Sequence, residues 1–167
     1  MESVDVPVMA DAEDGYGDPE EVINTVERFI QIGAAGVNLE DQIPDGKNKV
    51  SVVDGDLMER KIIVARETSE VLDNPYFIIN ARTDALRSTV DRSAGLELAI
   101  NRANQYLEIG ADLAFITYVE TLNEVKTLIQ EVDGPISIAA GLYYNIKNFS
   151  INDLKEYGVA RVSLPTY

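Results

Sequence analysis

The sequence predicts an α/β fold built on a parallel β-sheet, and two features of the chain carry this prediction. Short apolar runs alternate with stretches of helical periodicity along the 167 residues, which is the pattern of recurring βα units. At Gly33, Gly110 and Gly158 a helical stretch ends and an apolar run follows at once. Glycine favours the left-handed backbone conformation that ends many helices, so these three positions predict helix-to-strand junctions. Spacing alone leaves two architectures open: a doubly wound open sheet, or a (β/α)8 barrel that lacks some of its units.

Six apolar runs are the expected strands. They lie at about 5–11, 35–40, 76–81, 112–117, 135–140 and 159–164. Each interval between them is long enough for a crossover helix, as parallel pairing requires. A closed barrel of eight such units usually takes about 250 residues, so this chain is expected to form one domain over residues 1–167 with about six parallel βα units.

Helix-start signals fill the intervals between the runs. Asp18 before Pro19 predicts an N-cap with proline at the first helical position. Residues 91–109 place four apolar side chains on one helix face, namely Leu96, Ala99, Ala103 and Tyr106. Three further pairs have the spacing of capping boxes: Asp56 with Glu59, Thr121 with Glu124, and Ser150 with Asp153.

Composition limits the possible partners and cofactors. The formal net charge of −15 is spread along the chain, which argues against nucleic acid or an anionic membrane as a partner, because binding phosphate needs clustered Lys and Arg. The chain has no cysteine and no histidine, so thiolate chemistry and Cys-type zinc sites are excluded. Any metal should be a hard, oxygen-ligated ion such as Mg²⁺, Mn²⁺ or Ca²⁺. No apolar stretch approaches a membrane span, and a cytoplasmic protein is the expectation.

Polar side chains gather where three of the apolar runs end. Because side chains alternate between the faces of a strand, each set shares one face: Asp11 with Glu13, Asn38 with Glu40, and Asn80 with Arg82 and Asp84. A strand interior normally excludes such groups, since an unpaired buried charge costs several kcal/mol. Collected at the carboxyl ends of parallel strands, they indicate a site.

Each of these motifs also has a structural interpretation. Asp11 and Glu13 are suited to a divalent cation, with Gly15 turning the chain beside it, or they belong to an acidic loop that caps the next helix. Arg82 is suited to a carboxylate or phosphate, or to an ion pair with Asp84. The stretch 42–49 is either a mobile lid or an ordinary βα loop. Two later segments, 117–118 and 140–145, have three possible interpretations: they line a pocket, they pack in the core, or they form surface turns.

Three motifs together resemble the isocitrate lyase/phosphoenolpyruvate mutase superfamily, and its small phosphonomutase-like members in particular. They are Asp-Ala-Glu-Asp-Gly-Tyr-Gly at 11–17, Gly-Val-Asn-Leu-Glu-Asp at 36–41, and Asn-Ala-Arg-Thr-Asp at 80–84. The resemblance implies a (β/α)8 TIM-barrel type of fold that is incomplete here, without the first two βα units and the last helix. It therefore implies two unpaired sheet edges, near 5–11 and 159–164, and a homo-oligomer as the expected way to cover them.

The resemblance also implies a site and a chemistry. The expected cofactor is Mg²⁺, with Mn²⁺ possible, and the substrate a small α-keto acid or phosphonate whose C–C or P–C bond is broken or transferred through a pyruvate-like enolate. The implied metal ligands are Asp11, Glu13 and Glu40. The implied catalytic residues are Glu40, Arg82 and Lys47, the last within a gating loop at 42–53. The implied substrate-binding residues are Asp11, Asn80, Arg82, Gly15 and Tyr16.

The chain departs from the family pattern in ways that leave the reaction open. The lyases carry a Lys-Lys-Cys-Gly-His loop, and without Cys or His the cleavage of isocitrate or methylisocitrate by that mechanism is not expected. Lys47-Asn48 is a loose counterpart of the Lys-Thr-Asn stretch of the phosphonate enzymes. Mutase, lyase and hydrolase therefore remain open. The alternative is a truncated, non-catalytic homologue that acts as an oligomeric or interaction module.

Overall fold

The computed structural model describes residues 4–44 and 50–165, which form a six-stranded parallel sheet, a separate two-stranded sheet and the helices that pack on the parallel sheet. The strands are β1 Met9–Asp11, β2 Gly36–Glu40, β3 Gln42–Pro44, β4 Val50–Val52, β5 Ile78–Thr83, β6 Leu113–Ile116, β7 Ile136–Ala139 and β8 Arg161–Ser163. The helices are α1 Pro19–Gln31, α2 Gly55–Val71, α3 Ala85–Ser88, α4 Arg92–Glu108, α5 Leu122–Glu131 and α6 Ile151–Glu156.

The strand order decides between the two architectures. Six parallel strands follow one another across the sheet in the order β1-β2-β5-β6-β7-β8, and the sheet curls into a half-barrel. A doubly wound sheet reverses its strand order at a switch point, whereas this order runs in one direction throughout. The incomplete (β/α) barrel is therefore confirmed, and all six predicted strands form, most of them a few residues shorter than expected.

Most of the predicted helix starts are confirmed. The Asp18 side chain accepts a hydrogen bond from the Glu21 amide, and the capping boxes at Thr121 and Ser150 are both present. The Asp56 prediction is wrong: α2 begins at Gly55, and Asp54 is its N-cap and accepts from the Asp56 amide. The short helix α3 was not predicted. In the described part of the chain, no helix is both long and apolar enough to cross a membrane.

The core lies between the sheet and the helices. Alternate residues of the central strands are fully or almost fully buried there: Val37, Leu39, Ile79 and Ala81. On α4 the predicted face is confirmed, because Ala99, Ala103 and Tyr106 show no exposure. The intervening residues of the same strands point to the opposite, concave face of the sheet, where the candidate site lies.

The stretch predicted as a lid or loop contains an antiparallel hairpin. Gln42 pairs with Val52 and Pro44 with Val50, and this two-stranded sheet is separate from the barrel strands. The hairpin is tied to the end of β2, because the Val53 amide donates to the Asp41 carbonyl at 2.8 Å. The predicted catalytic Lys47 falls outside the described residues.

The close approach of β2 to β5 generates a prediction about stability. A methyl group added at Gly36 would lie 2.6 Å from the Cβ atom of Ile78 and also overlap the Ile78 carbonyl oxygen. Because that oxygen belongs to the backbone of the neighbouring strand, it cannot move aside. We expect Gly36→Ala to lower the free energy of unfolding by about 1–3 kcal/mol, measured by urea denaturation.

Gly55 is the matched control for this substitution. It is the first residue of α2, and an added methyl meets none of the described atoms within 4 Å. We expect Gly55→Ala to be neutral or to stabilise by up to about 1 kcal/mol. Equal effects of the two substitutions would contradict the close packing of β2 against β5.

Candidate active site at the carboxyl ends of the strands

The ends of three neighbouring strands bring the predicted polar residues together. In the parallel register Asp11 of β1 is opposite Asn38 of β2, and Glu40 of β2 is opposite Arg82 of β5. The strands β1, β2 and β5 are adjacent in the sheet. The site is therefore built by register, with each side chain held on a strand end.

Arg82 is the centre of the charge network. Its Nε and Nη2 atoms donate to the two oxygens of Asp84, at 3.0 and 3.1 Å, and its Nη1 atom forms an ion pair with Glu40. Asp84 is fully buried and the Glu40 side chain is 6% exposed. Burial lowers the pKa of Arg82, but the charges of Asp84 and Glu40 outweigh this and hold that pKa above its ordinary value.

The Glu40 carboxyl is buried in surroundings where acidic side chains outnumber basic ones. Burial raises its pKa to about 7; Arg82 opposes the rise, and the charges of Asp84, Asp11 and Glu13 add to it. Its Oε2 atom is within ion-pair distance of Arg82, yet no hydrogen bond of acceptable geometry reaches that atom. The contact with Arg82 is therefore a charge interaction.

Glu13 does not lie on the strand, contrary to the prediction from alternation. β1 ends at Asp11, and Glu13 has a left-handed backbone with φ of 49°. In this turn the Glu13 amide donates to Asp11 Oδ1 at 3.2 Å, and its carbonyl accepts from the Glu40 amide at 2.8 Å. The turn thus places the Glu13 backbone directly on the end of β2, with Asp11 and Glu13 both exposed.

The donor set is suited to magnesium held largely by water. Within residues 4–44 and 50–165, no three acidic side chains are close enough to form a complete metal-binding cluster. Mg²⁺ usually takes one or two carboxylates and keeps several waters. The Glu40 carboxylate, with the charges of the exposed Asp11 and Glu13 acting on it, matches that requirement.

The loop after β1 is hydrogen-bonded to a buried lysine of α2. Lys61 is 2% exposed and donates to the Asp14 carbonyl at 2.6 Å. Gly15 is buried at φ of 90°, where a methyl group would lie 2.5 Å from Val22. The Tyr16 hydroxyl donates to the Asp11 carbonyl at 3.2 Å, while its ring lies beside α1. Gly15 and Tyr16 therefore shape the loop that follows Asp11.

Asn80 lies one layer below Arg82 on the same strand face. It is fully buried, and its Nδ2 atom donates to Asn38 Oδ1 at 2.7 Å. Its own Oδ1 atom is buried without a hydrogen bond. Since buried polar atoms are normally satisfied, this acceptor is a further polar feature of the concave face.

Asp84, which the sequence groups with Arg82, forms the expected ion pair with it. It also has partners that the sequence did not indicate, because it accepts from Gln42 Nε2 of the hairpin and from Thr117 Oγ1 after β6. Its acidic type and its position two residues after Arg82 were visible in the sequence. The partners were not, because they lie 42 and 33 residues away along the chain.

A second buried network lies behind the site around Asp41. Its Oδ2 atom accepts from Arg102 Nη1 and from the Tyr106 hydroxyl, both at 2.9 Å, and its Oδ1 atom accepts from the Asp84 amide at 3.0 Å. Arg102 also donates to the Val53 carbonyl at 2.7 Å. Burial raises the pKa of Asp41, and these donors offset part of the rise. The network joins β2, the hairpin and α4, and it holds Asp84 in place.

Removing the cation of this network should destabilise the fold strongly. Arg102→Leu leaves Asp41 fully buried without its charged partner, and we expect a loss of about 3–5 kcal/mol in the free energy of unfolding. Urea denaturation measures this loss. Arg60→Leu, on the exposed side of α2, is the control and should change stability by less than about 0.5 kcal/mol. A similar effect of both variants would contradict a structural role for the buried pair.

Comparison with known proteins gives a family for this chain. The family model of phosphoenolpyruvate phosphomutase matches residues 1–167. The 2,3-dimethylmalate lyase of Eubacterium barkeri is 37% identical over 138 residues, which are 80% of this chain and 45% of that protein. The chain spans about half the length of the curated relatives it matches.

Solved structures agree with the family model. A crystal structure of 2,3-dimethylmalate lyase, a PEP mutase/isocitrate lyase superfamily member, superposes with a TM-score of 0.85 at 27% identity and covers 98% of this chain and 55% of that one. Oxaloacetate acetylhydrolase in complex with the product oxalate gives a TM-score of 0.81 at 29% identity and covers 93% and 52%. The chain therefore belongs to the phosphoenolpyruvate mutase/isocitrate lyase superfamily.

Proposed function

We propose that this chain is a Mg²⁺-dependent enzyme of the lyase or mutase type, acting on a small α-keto acid or phosphonate. The reaction breaks or transfers a C–C or P–C bond through a pyruvate-like enolate. One observation carries this proposal: Arg82 forms an ion pair with the buried Glu40 at the strand ends where the exposed Asp11 also lies. A guanidinium and carboxylates at one place support the binding of an anion together with a cation.

Arg82 is the proposed anchor for the substrate carboxylate. Asp84 fixes its Nε and Nη2 atoms, so the plane of the guanidinium is set before any ligand arrives. The side chain is 23% exposed and lines a cavity on the concave face. This preorganisation lowers the entropy that ordering the arginine would otherwise cost on binding.

The acids are the proposed magnesium ligands. Asp11, Glu13 and Glu40 would hold Mg²⁺, or Mn²⁺ in its place, directly or through water. The bound ion supplies Lewis-acid stabilisation of negative charge that develops on the substrate oxygens. The proposed substrate-binding residues are Arg82 and Asp11 with Asn80, Gly15 and Tyr16, and Glu40 and Arg82 are also the proposed catalytic residues of the strand ends. Lys47 remains a proposed catalytic residue of the gate.

The relatives support the substrate class without deciding the reaction type. Their names include a lyase of 2,3-dimethylmalate and an oxaloacetate acetylhydrolase in complex with its product oxalate. The second candidate is a non-catalytic interaction module. It is favoured by the two ends of the sheet, because β1 and β8 each pair with one strand among the described residues. One domain and a homo-oligomer are proposed in either case.

Binding of oxalate, a planar mimic of enolpyruvate, tests the proposed function. We expect calorimetric titration to show binding in the presence of Mg²⁺ and none after the metal is removed with EDTA, because the two negative carboxylates need both Arg82 and a cation. Glu13→Gln should weaken the Mg²⁺-dependent binding. Arg82→Lys keeps the charge but loses the planar donor pair, and it should weaken oxalate binding by at least about tenfold.

Glu70→Gln is the control, since this acidic residue is exposed near the far end of α2. It should bind oxalate as the unchanged protein does. Circular dichroism of each variant establishes that the fold is retained. Absence of oxalate binding with and without Mg²⁺ would overturn the catalytic proposal and favour the interaction module.

A further inference from the structure

The concave face of the half-barrel has two chemically different halves. The half formed by β1, β2 and β5 carries Asp11, Glu40 and Arg82. The half formed by β6 and β7 and the segment after β7 carries Phe115, Ala139 and Leu142, which form a small apolar cluster separate from the two main cores. One polar residue of β7 shares this face: Ser137, the register partner of Phe115, accepts a hydrogen bond from Arg161 of β8 at 3.3 Å. Arg82 lies at the boundary, because its register partner on β6 is Phe115.

We propose that the apolar half is a subsite for a hydrophobic substituent of the substrate, with Tyr118 as the residue that determines specificity. The preferred substrates are then 2-oxo acids, or their condensation products, with an aromatic or branched side chain. Acids of the size of pyruvate would bind less tightly. This inference rests on the proposed function, because the substituent must belong to a molecule held by Arg82.

The space available is sufficient for such a group. A cavity of about 290 Å³ opens beside Arg82 and extends over Phe115, Tyr118 and Leu142. For scale, an engineered apolar cavity of about 150 Å³ in another protein holds benzene. The wall is completed by Tyr143 and Tyr144, whose rings meet edge to face at 5.1 Å. Ligand pockets are typically apolar with a few placed polar groups, and this cavity matches that description.

Tyr118 is held in an unfavourable backbone conformation at the edge of this cavity. Its φ of 58° lies in the left-handed region, which bulky residues rarely adopt. Arg92 donates to the Tyr118 carbonyl at 2.6 Å and is itself paired with Glu124 at 2.6 Å. The surrounding structure therefore enforces the turn, as happens where strain is retained at functional positions.

The turn also fixes the direction of the Tyr118 ring. The Cζ atom of Arg87 lies 4.9 Å from the ring centroid, and the ring of Tyr144 lies 5.7 Å away on a tilted plane. Such contacts hold an aromatic ring without filling the cavity beside it. A substituent entering the cavity would thus meet a preset aromatic surface.

The two halves lie close together. The Arg82 Cζ atom is 6.0 Å from the ring centroid of Phe115, its register partner on β6. A ligand whose carboxylate binds Arg82 therefore needs a substituent several atoms long to cover Phe115. Phenylpyruvate has such a group and oxalate does not.

A comparison of three ligands tests the subsite. With Mg²⁺ present, we would titrate the protein with oxalate, pyruvate and phenylpyruvate by calorimetry. We expect phenylpyruvate to bind at least about tenfold more tightly than pyruvate, because its ring leaves water for an apolar surface. Tyr118→Ala should reduce this preference to less than about threefold.

Ala139→Leu tests the same subsite by the opposite change. Ala139 lines the cavity and is 5% exposed, so the larger side chain fills the space, and phenylpyruvate should lose its advantage while oxalate keeps its affinity. Ala139→Leu also tests the subsite if the Tyr118→Ala variant does not fold. Tyr76→Ala is the control, since that ring is 88% exposed before β5, and it should keep the full preference.

The outcomes separate this inference from the proposed function. Oxalate binding with equal affinities for pyruvate and phenylpyruvate would overturn the subsite and leave the proposed function standing. A preference that survives both Tyr118→Ala and Ala139→Leu would also overturn the subsite. Loss of all oxalate binding in the unchanged protein would overturn the proposed function and the subsite together.

Discussion

The ion pairs of Arg82 with Glu40 and Asp84 are the constraint on which the rest of the site depends. Three charged groups are withdrawn from water at the ends of two strands, and such an arrangement is unfavourable unless its geometry is maintained. The parallel register maintains it by placing Glu40 beside Arg82. Asp41, hydrogen-bonded to the Asp84 amide, maintains it from behind. Packing and hydrogen bonds elsewhere in the fold thus hold together a charged cluster that itself contributes little to the free energy of unfolding.

The two halves of the concave face differ in charge and in polarity. On one side the carboxylates outnumber the single guanidinium of Arg82, which is why we propose that a cation binds there. On the other side Phe115 and Tyr118 give a surface of low polarity, where an organic group replaces water favourably. Arg82 contacts both sides. A substrate that combines a carboxylate with a hydrophobic group would use the whole face.

The sequence was sufficient for the strands and for the faces of β2 and β5, because alternation along a strand is a local property. It grouped Asn38 with Glu40 and Asn80 with Arg82, and in the structure these two sets meet across the strands. It was wrong about Glu13, because a left-handed turn ends the alternation after Asp11. It missed the network of Asp41 with Arg102, since that contact joins residues 61 positions apart and depends on how α4 packs. The hairpin was missed for a different reason: its strands are three residues each and lack a strong apolar pattern.

The central claim is that the acids around Glu40 require a cation, and the most direct measurement is the urea midpoint with and without Mg²⁺ at constant ionic strength. A ligand that binds the folded state alone stabilises it, by about 2.7 kcal/mol at 100 times Kd. The account predicts that Mg²⁺ raises the midpoint of the unchanged protein and has little effect on Glu40→Gln. No rise in the unchanged protein, or an equal rise in both, would contradict it.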